Sequence, residues 1–98
     1  MKLDKLVWKE QFLDKIIEKH GVTESEVEEV LFSTPHIRFA KKGHVKGEHV
    51  YLAYGQTDAG RYLLISFIWK SQGLALPISA RDMTRTERRY YNEQTEAT

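Results

Sequence analysis

Four arginines, Arg81, Arg85, Arg88 and Arg89, crowd one stretch of this chain, Ile78-Ser79-Ala80-Arg81-Asp82-Met83-Thr84-Arg85-Thr86-Glu87-Arg88-Arg89-Tyr90-Tyr91. Guanidinium forks match the geometry of phosphate oxygens, stay charged at every relevant pH, and stack on bases or aromatic rings. Such a stretch could bind a phosphodiester and stabilise charge developing on it. The same residues would also suit a solvated helix face, with Asp82 and Glu87 as ion-pair partners and Tyr90 or Tyr91 packed inward. Which use prevails depends on the elements that carry them.

With 98 residues, the chain is expected to fold as one domain, 1–98, around one modest core. Its longest apolar run, Tyr62 to Trp69, is interrupted by Ser66 and falls far short of the ~20 residues a membrane helix needs, so no membrane partner is expected. The charged N-terminus lacks the apolar block of a secretory signal, which points to the cytoplasm. Cysteine is absent, removing disulfides, thiolate nucleophiles and sulfur-based zinc sites. His20, His36, His44 and His49 form no close pair with an acidic partner at metal-ligand spacing, so neither metal nor cofactor is expected. Residues 1–34 carry five lysines against eight acids and residues 35–98 ten cations against six acids, giving −3 and +4; an anionic partner would meet the second half.

Apolar positions Phe12, Leu13, Ile16 and Ile17 recur at helical spacing until Gly21, which predicts a helix from about Lys9 to His20 after a short strand near Leu6 to Trp8. Thr23-Glu24-Ser25-Glu26 is a capping box opening a second helix that Pro35 stops. From His36 the period becomes two: Ile37 and Phe39 alternate with Arg38 and Ala40, then Val50, Leu52 and Tyr54 with His49, Tyr51 and Ala53. Arg61 to Trp69 and about Leu74 to Ala80 complete an antiparallel meander, with Pro77 favouring an edge, a bulge or a late start in the last strand. Thr84-Arg85-Thr86-Glu87 is a second capping box, opening a short basic helix. The expected fold is α+β: an antiparallel sheet of about four strands, two N-terminal helices and a C-terminal helix, with the helices on one face.

The stretch ISARDMTRTERRYY resembles the C-terminal signature of the BrnT family, a strand ending in ISAR followed by a helix containing ER and a tyrosine. Trp8, Lys19-His20-Gly21, Gly47-Glu48 and Gly60-Arg61-Tyr62-Leu63 fall where that family has matching features. The resemblance implies a RelE-like α+β fold, a ribonuclease that stops translation, and neutralisation by a BrnA-like antitoxin through which alone DNA is met. Two places depart from the family pattern: Leu74-Ala75-Leu76-Pro77 is not basic, and no arginine follows the Gly-Glu pair in His49-Val50-Tyr51.

Metal-independent RNA cleavage, in which a 2′-hydroxyl attacks the neighbouring phosphate, needs a proton acceptor, a donor to the leaving oxygen and cations around the phosphate. Residue chemistry together with family position gives the expected catalytic set: Arg81 and Arg88 stabilise charge, Tyr91 positions the phosphate or a proton, and Glu48 is the candidate base. Lys41, Lys42, Lys46, Arg61, Arg85 and Arg89 make up the expected RNA-binding set. A solvated hairpin explains Lys41, Lys42 and Lys46 equally well. Two other functions fit the same residues, a non-catalytic module that binds the antitoxin and a simple RNA-binding domain.

Overall fold

The computed structural model describes residues 2–43 and 47–96. In chain order the elements are β1 (Lys5–Leu6), α1 (Glu10–His20), α2 (Glu24–Phe32), β2 (His36–Lys41), β3 (Val50–Gln56), β4 (Tyr62–Trp69), β5 (Leu74–Asp82) and α3 (Arg85–Glu96). Helix α1 ends at Gly21 in the left-handed conformation (φ 61°), a backbone glycine adopts without steric cost, and its amide donates to the Ile17 carbonyl. Thr23 caps α2 reciprocally: its hydroxyl accepts from the Glu26 amide at 3.1 Å, and the Glu26 carboxylate accepts from the Thr23 amide at 3.0 Å. Thr84 and Glu87 repeat this arrangement at the start of α3, at 3.2 and 2.8 Å.

The sheet has five strands in the order β1-β5-β4-β3-β2. Strands β2 to β5 form the expected antiparallel meander, while β1 lies parallel to β5, pairing Lys5 with Leu74 and Leu6 with Ala75. The expectation of an antiparallel sheet of about four strands is therefore corrected to a mixed sheet of five. The short strand expected near Leu6 to Trp8 is present at Lys5–Leu6, and its pairing with β5 is decided by the path of the chain through both helices. Opposite Ser66 and Phe67 the register slips by one residue between Ser79 and Pro77, so Ile78 is a bulge beside the proline that lacks a ladder donor.

Both sheet faces are covered. On the first, α1 packs over β5 and α2 over β3, burying Ile16, Val22, Val27, Val30 and Leu31 against Ala53, Leu63, Ile65, Phe67 and Ala80. The backbone at Gly55 approaches α2 so closely that a Cβ there would stand 2.8 Å from Cγ1 of Val30. On the second face Tyr54, Leu64 and Met83 pack with Leu52, Tyr62, Tyr90 and Tyr91. The last two belong to α3, so α3 lies on the side opposite α1 and α2, and the expectation that all helices share one face is overturned. Strand β4 shows why. Leu63, Ile65 and Phe67 point to one layer, Tyr62 and Leu64 to the other, and a strand apolar on both faces must be covered twice.

Candidate functional site

The face under α3 is organised in rows set by strand register. His36, Tyr54, Leu64 and Arg81 are successive cross-strand neighbours, followed along the strands by Arg38, Leu52, Ser66 and Ser79, and then by Lys41, Val50, Ile68 and Leu76. Three strand spacings separate His36 from Arg81, roughly 14 Å between backbones. Helix α3 crosses this face. Glu87 meets Arg81 on β5, Arg88 and Tyr91 meet Tyr62 on β4, and Tyr90 meets Tyr54 and His36 on β3 and β2. Tyr90 and Tyr91 diverge by about 100° around the helix, so they reach different parts of the sheet.

The sequence-predicted catalytic residues do not converge on one point. Arg81 makes a two-pronged pair with Glu87 at 2.7 and 2.9 Å, and Glu87 also caps α3. Hydrogen bonding to Arg81 and to the Thr84 amide holds the Glu87 carboxyl down at about 2, and the same pair holds the Arg81 guanidinium above its ordinary value. Arg88 lies 4.1 Å above the Tyr62 ring, and Tyr91 meets that ring edge-on at 6.0 Å. Burial, with Tyr62 beside it, raises the Tyr91 phenol above its usual range, so Tyr91 keeps its proton at neutral pH.

Glu48 is elsewhere. It forms an ion pair with Lys70 and lines an open depression of about 560 Å³ with Lys41, Lys42, Val50, Ile68 and Ile78. Strand β3 separates this region from the end where Tyr62 pairs with Gln56, about 20 Å at a strand's rise per residue. One phosphate cannot be served by Glu48 together with Arg88 and Tyr91, which corrects the expected four-residue constellation.

The expected RNA-binding residues separate as well. Arg85 and Arg89 are exposed and line an open groove along α3 with Arg88, Asn92, Glu93 and Glu96. Lys41 and Lys42 are exposed at the rim of the depression, and Lys46 lies outside the described residues. Arg61 is used inside the fold. Its guanidinium donates to Asp82 at 2.7 and 3.0 Å, to Glu26 at 3.2 Å, and to the carbonyls of Gly21 at 2.9 Å and His20 at 3.1 Å. These partners are the ends of α1 and β5 and the start of α2, so Arg61 acts as a structural clamp instead of the expected RNA contact. Its partners also explain why Asp82 and Glu26 titrate below their ordinary range: Arg61 bonding leads for Asp82, and the Thr23 amide leads for Glu26, with Arg61 adding to it.

Sequence reasoning missed the cluster at the other end of α3. His36 Nε2 and the Tyr90 hydroxyl are 2.8 Å apart, and both rings pack with Tyr54. The Arg38 guanidinium lies 4.8 Å from the Tyr90 ring centre and donates to the Tyr54 hydroxyl at 3.5 Å. The available signal was the period-two placement of His36 and Arg38 on one face of β2, but their partner lies 54 residues away on α3. Among the described residues, no three His, Asp or Glu side chains are grouped to hold a metal ion. No described helix is long and apolar enough to cross a membrane.

Comparison with known families matches residues 8–87 to the ribonuclease toxin, BrnT, of type II toxin-antitoxin systems. The chain belongs to the BrnT family. Among solved structures, this BrnT-family chain is similar to the Brucella abortus ribonuclease toxin BrnT, with a TM-score of 0.60 at 18% identity over 83% of this chain and 97% of the Brucella chain. At that identity the likeness establishes a shared fold. No curated protein matches the sequence significantly. Family membership brings ribonuclease toxin character and an antitoxin partner. The family match ends at Glu87, so Arg88, Arg89, Tyr90 and Tyr91 are interpreted from their own geometry.

Proposed function

We propose that residues 1–98 act in the cytoplasm as a single RelE-like toxin domain that stops translation by cleaving RNA without a metal, and that a DNA-binding BrnA-like antitoxin neutralises it. The observation that carries the RNA reading is the set Arg85, Arg88 and Arg89 on α3. All three are exposed, and none has an ion-pair partner among the described residues. Arg85 opens the first turn of α3, where the positive end of the backbone dipole disfavours a cation, a cost that a bound polyanion offsets. Lys41 and Lys42 add exposed cations at the separate depression lined by Glu48, Val50 and Ile68.

In this reading the 2′-hydroxyl of RNA attacks the adjacent phosphate, forming a cyclic phosphate and releasing the 5′-oxygen. Arg81 and Arg88 stabilise charge gained by the phosphate, with Arg81 contributing through Nε, which has no hydrogen-bond partner among the described residues. Tyr91, held protonated, positions a phosphate oxygen. Arg88 is preorganised by its stack on Tyr62, which favours it over a freely moving lysine.

The test is expression of this chain alone from a tight inducible promoter, with growth and total RNA followed beside Arg81→Ala and Arg88→Ala proteins shown to fold. Growth arrest with new RNA ends, lost in the variants, is expected. Normal growth with intact RNA and soluble folded protein would replace the nuclease reading with a non-catalytic antitoxin-binding module. RNA retention without cleavage would leave a simple RNA-binding domain.

A further inference from the structure

We infer that His36 is the proton-accepting catalytic residue of the cleavage, oriented by Tyr90 and served by Arg38 as a phosphate-holding cation; this rests on the ribonuclease reading above. Other potential acceptors near this face are already engaged. Glu87 is bound by Arg81 and the Thr84 amide, and Glu48 by Lys70. Asp82 and Glu26 face the opposite layer in the Arg61 clamp. Glu93 and Glu96 line the outer groove of α3. His49 accepts from the Gly43 amide and packs edge-on to Phe39, whose side chain lies on the other face. His36 is half-buried on the face under α3, and no carboxylate is paired with it among the described residues.

Its surroundings suit the role. The titratable and charged groups against it are Tyr90 from α3, Tyr54 from β3 and Arg38 from its own strand, with Arg81 acting on Tyr54 from the β5 side. The contact with the Tyr90 oxygen fixes the ring orientation, and in the tautomer whose Nε2–H donates to that oxygen Nδ1 keeps its lone pair to accept a proton. Arg38 has no ion-pair partner among the described residues, and its stack on Tyr90 holds an available guanidinium two residues from His36 on the same strand face. Arg38 and Arg81 thus approach Tyr54 from opposite sides, Arg38 as a hydrogen-bond donor to its hydroxyl and Arg81 as a nearby charge.

The step balances as follows. Nδ1 takes the 2′-hydroxyl proton as the O2′–P bond forms. The P–O5′ bond breaks, and O5′ leaves with a proton from solvent. The imidazolium then returns its proton to solvent, leaving a 2′,3′-cyclic phosphate and a 5′-hydroxyl.

The experiment uses the full chain and a short single-stranded RNA oligonucleotide in chelator, comparing wild type with His36→Gln, Tyr90→Phe and Arg88→Ala. His36→Gln is expected to lower kcat about 10²- to 10⁴-fold with KM little changed and to abolish the acidic limb of the pH–rate profile. Tyr90→Phe keeps the ring stack and loses the hydroxyl, and is expected to lower kcat less while displacing that limb. If His36→Gln melts well below wild type, His36→Asn is read in its place. Wild-type kcat and an unchanged pH profile in the histidine variant, with Arg88→Ala inactive, would overturn the role of His36 and leave the ribonuclease reading standing. An uncleaved oligonucleotide with wild-type protein would overturn both.

Discussion

Arg61 shows how a charged side chain can be drawn into the fold. Its planar fork reaches two carboxylates and two helix-terminal carbonyls at once, a geometry that a lysine ammonium cannot reproduce. Asp82 is well exposed, so solvent screens much of that pair, and the contacts to Glu26 and the carbonyls carry more of the stabilisation. Arg61→Ala is expected to lose roughly 2 kcal/mol or more in a urea melt, with Arg61→Lys recovering only part. Glu87 is the second residue with a folding role. Its folded value near 2 lies below the ordinary carboxylate range, so its contribution is fully present above about pH 4.5 and is lost as pH falls toward 2. Melting temperature should drop through that window, and Glu87→Gln should be less stable at neutral pH with a flatter acid dependence.

At the scale of elements, the capping box of α3 links helix start to site, because Glu87 closes the cap and also holds Arg81. The helix buries no residue completely and depends on its cap and on the contacts of Tyr90 and Tyr91 with the sheet. Thr84→Ala is therefore expected to cost about 1 kcal/mol in global stability. Faster amide exchange in α3 than in β4 should accompany it, measurable by hydrogen-exchange mass spectrometry. The capping boxes and the Gly21 stop were legible because their chemistry is local: each lies within four residues of its partner. The position of α3 on the second face was not, since it depends on which side of the sheet the chain crosses after Asp82.

For the whole molecule, the charge asymmetry between the two parts of the sequence becomes an asymmetry between two faces. The acidic helices α1 and α2 cover one side, while α3 and the outer end of β2 present Arg38, Lys41, Arg85, Arg88 and Arg89 on the other. Binding of a non-cleavable single-stranded RNA analogue should weaken as salt rises. Arg88→Ala and Arg38→Ala should each reduce the slope of log affinity against log salt by about 0.7, the value for one phosphate contact on a single strand. Arg61→Lys should leave the slope unchanged in the folded fraction, because Arg61 lies with the α1 and α2 layer.

The sequence by itself determined the helices, the four antiparallel strands, a short strand near the N-terminus, the caps and the family signature, since periodicity, capping chemistry and motif order are properties of neighbouring residues. It also put Arg85, Arg88 and Arg89 on one short basic helix, where they are exposed. Tertiary structure decided what those residues touch. Arg61 became a clamp because α1 and β5 end and α2 begins beside it, and Glu48 was separated from Arg88 and Tyr91 by the length of β3. His36 met Tyr90 only because α3 crosses the sheet as far as β2. Contacts between residues so distant along the chain depend on strand register and helix placement, which are fixed by burying both faces of the sheet together.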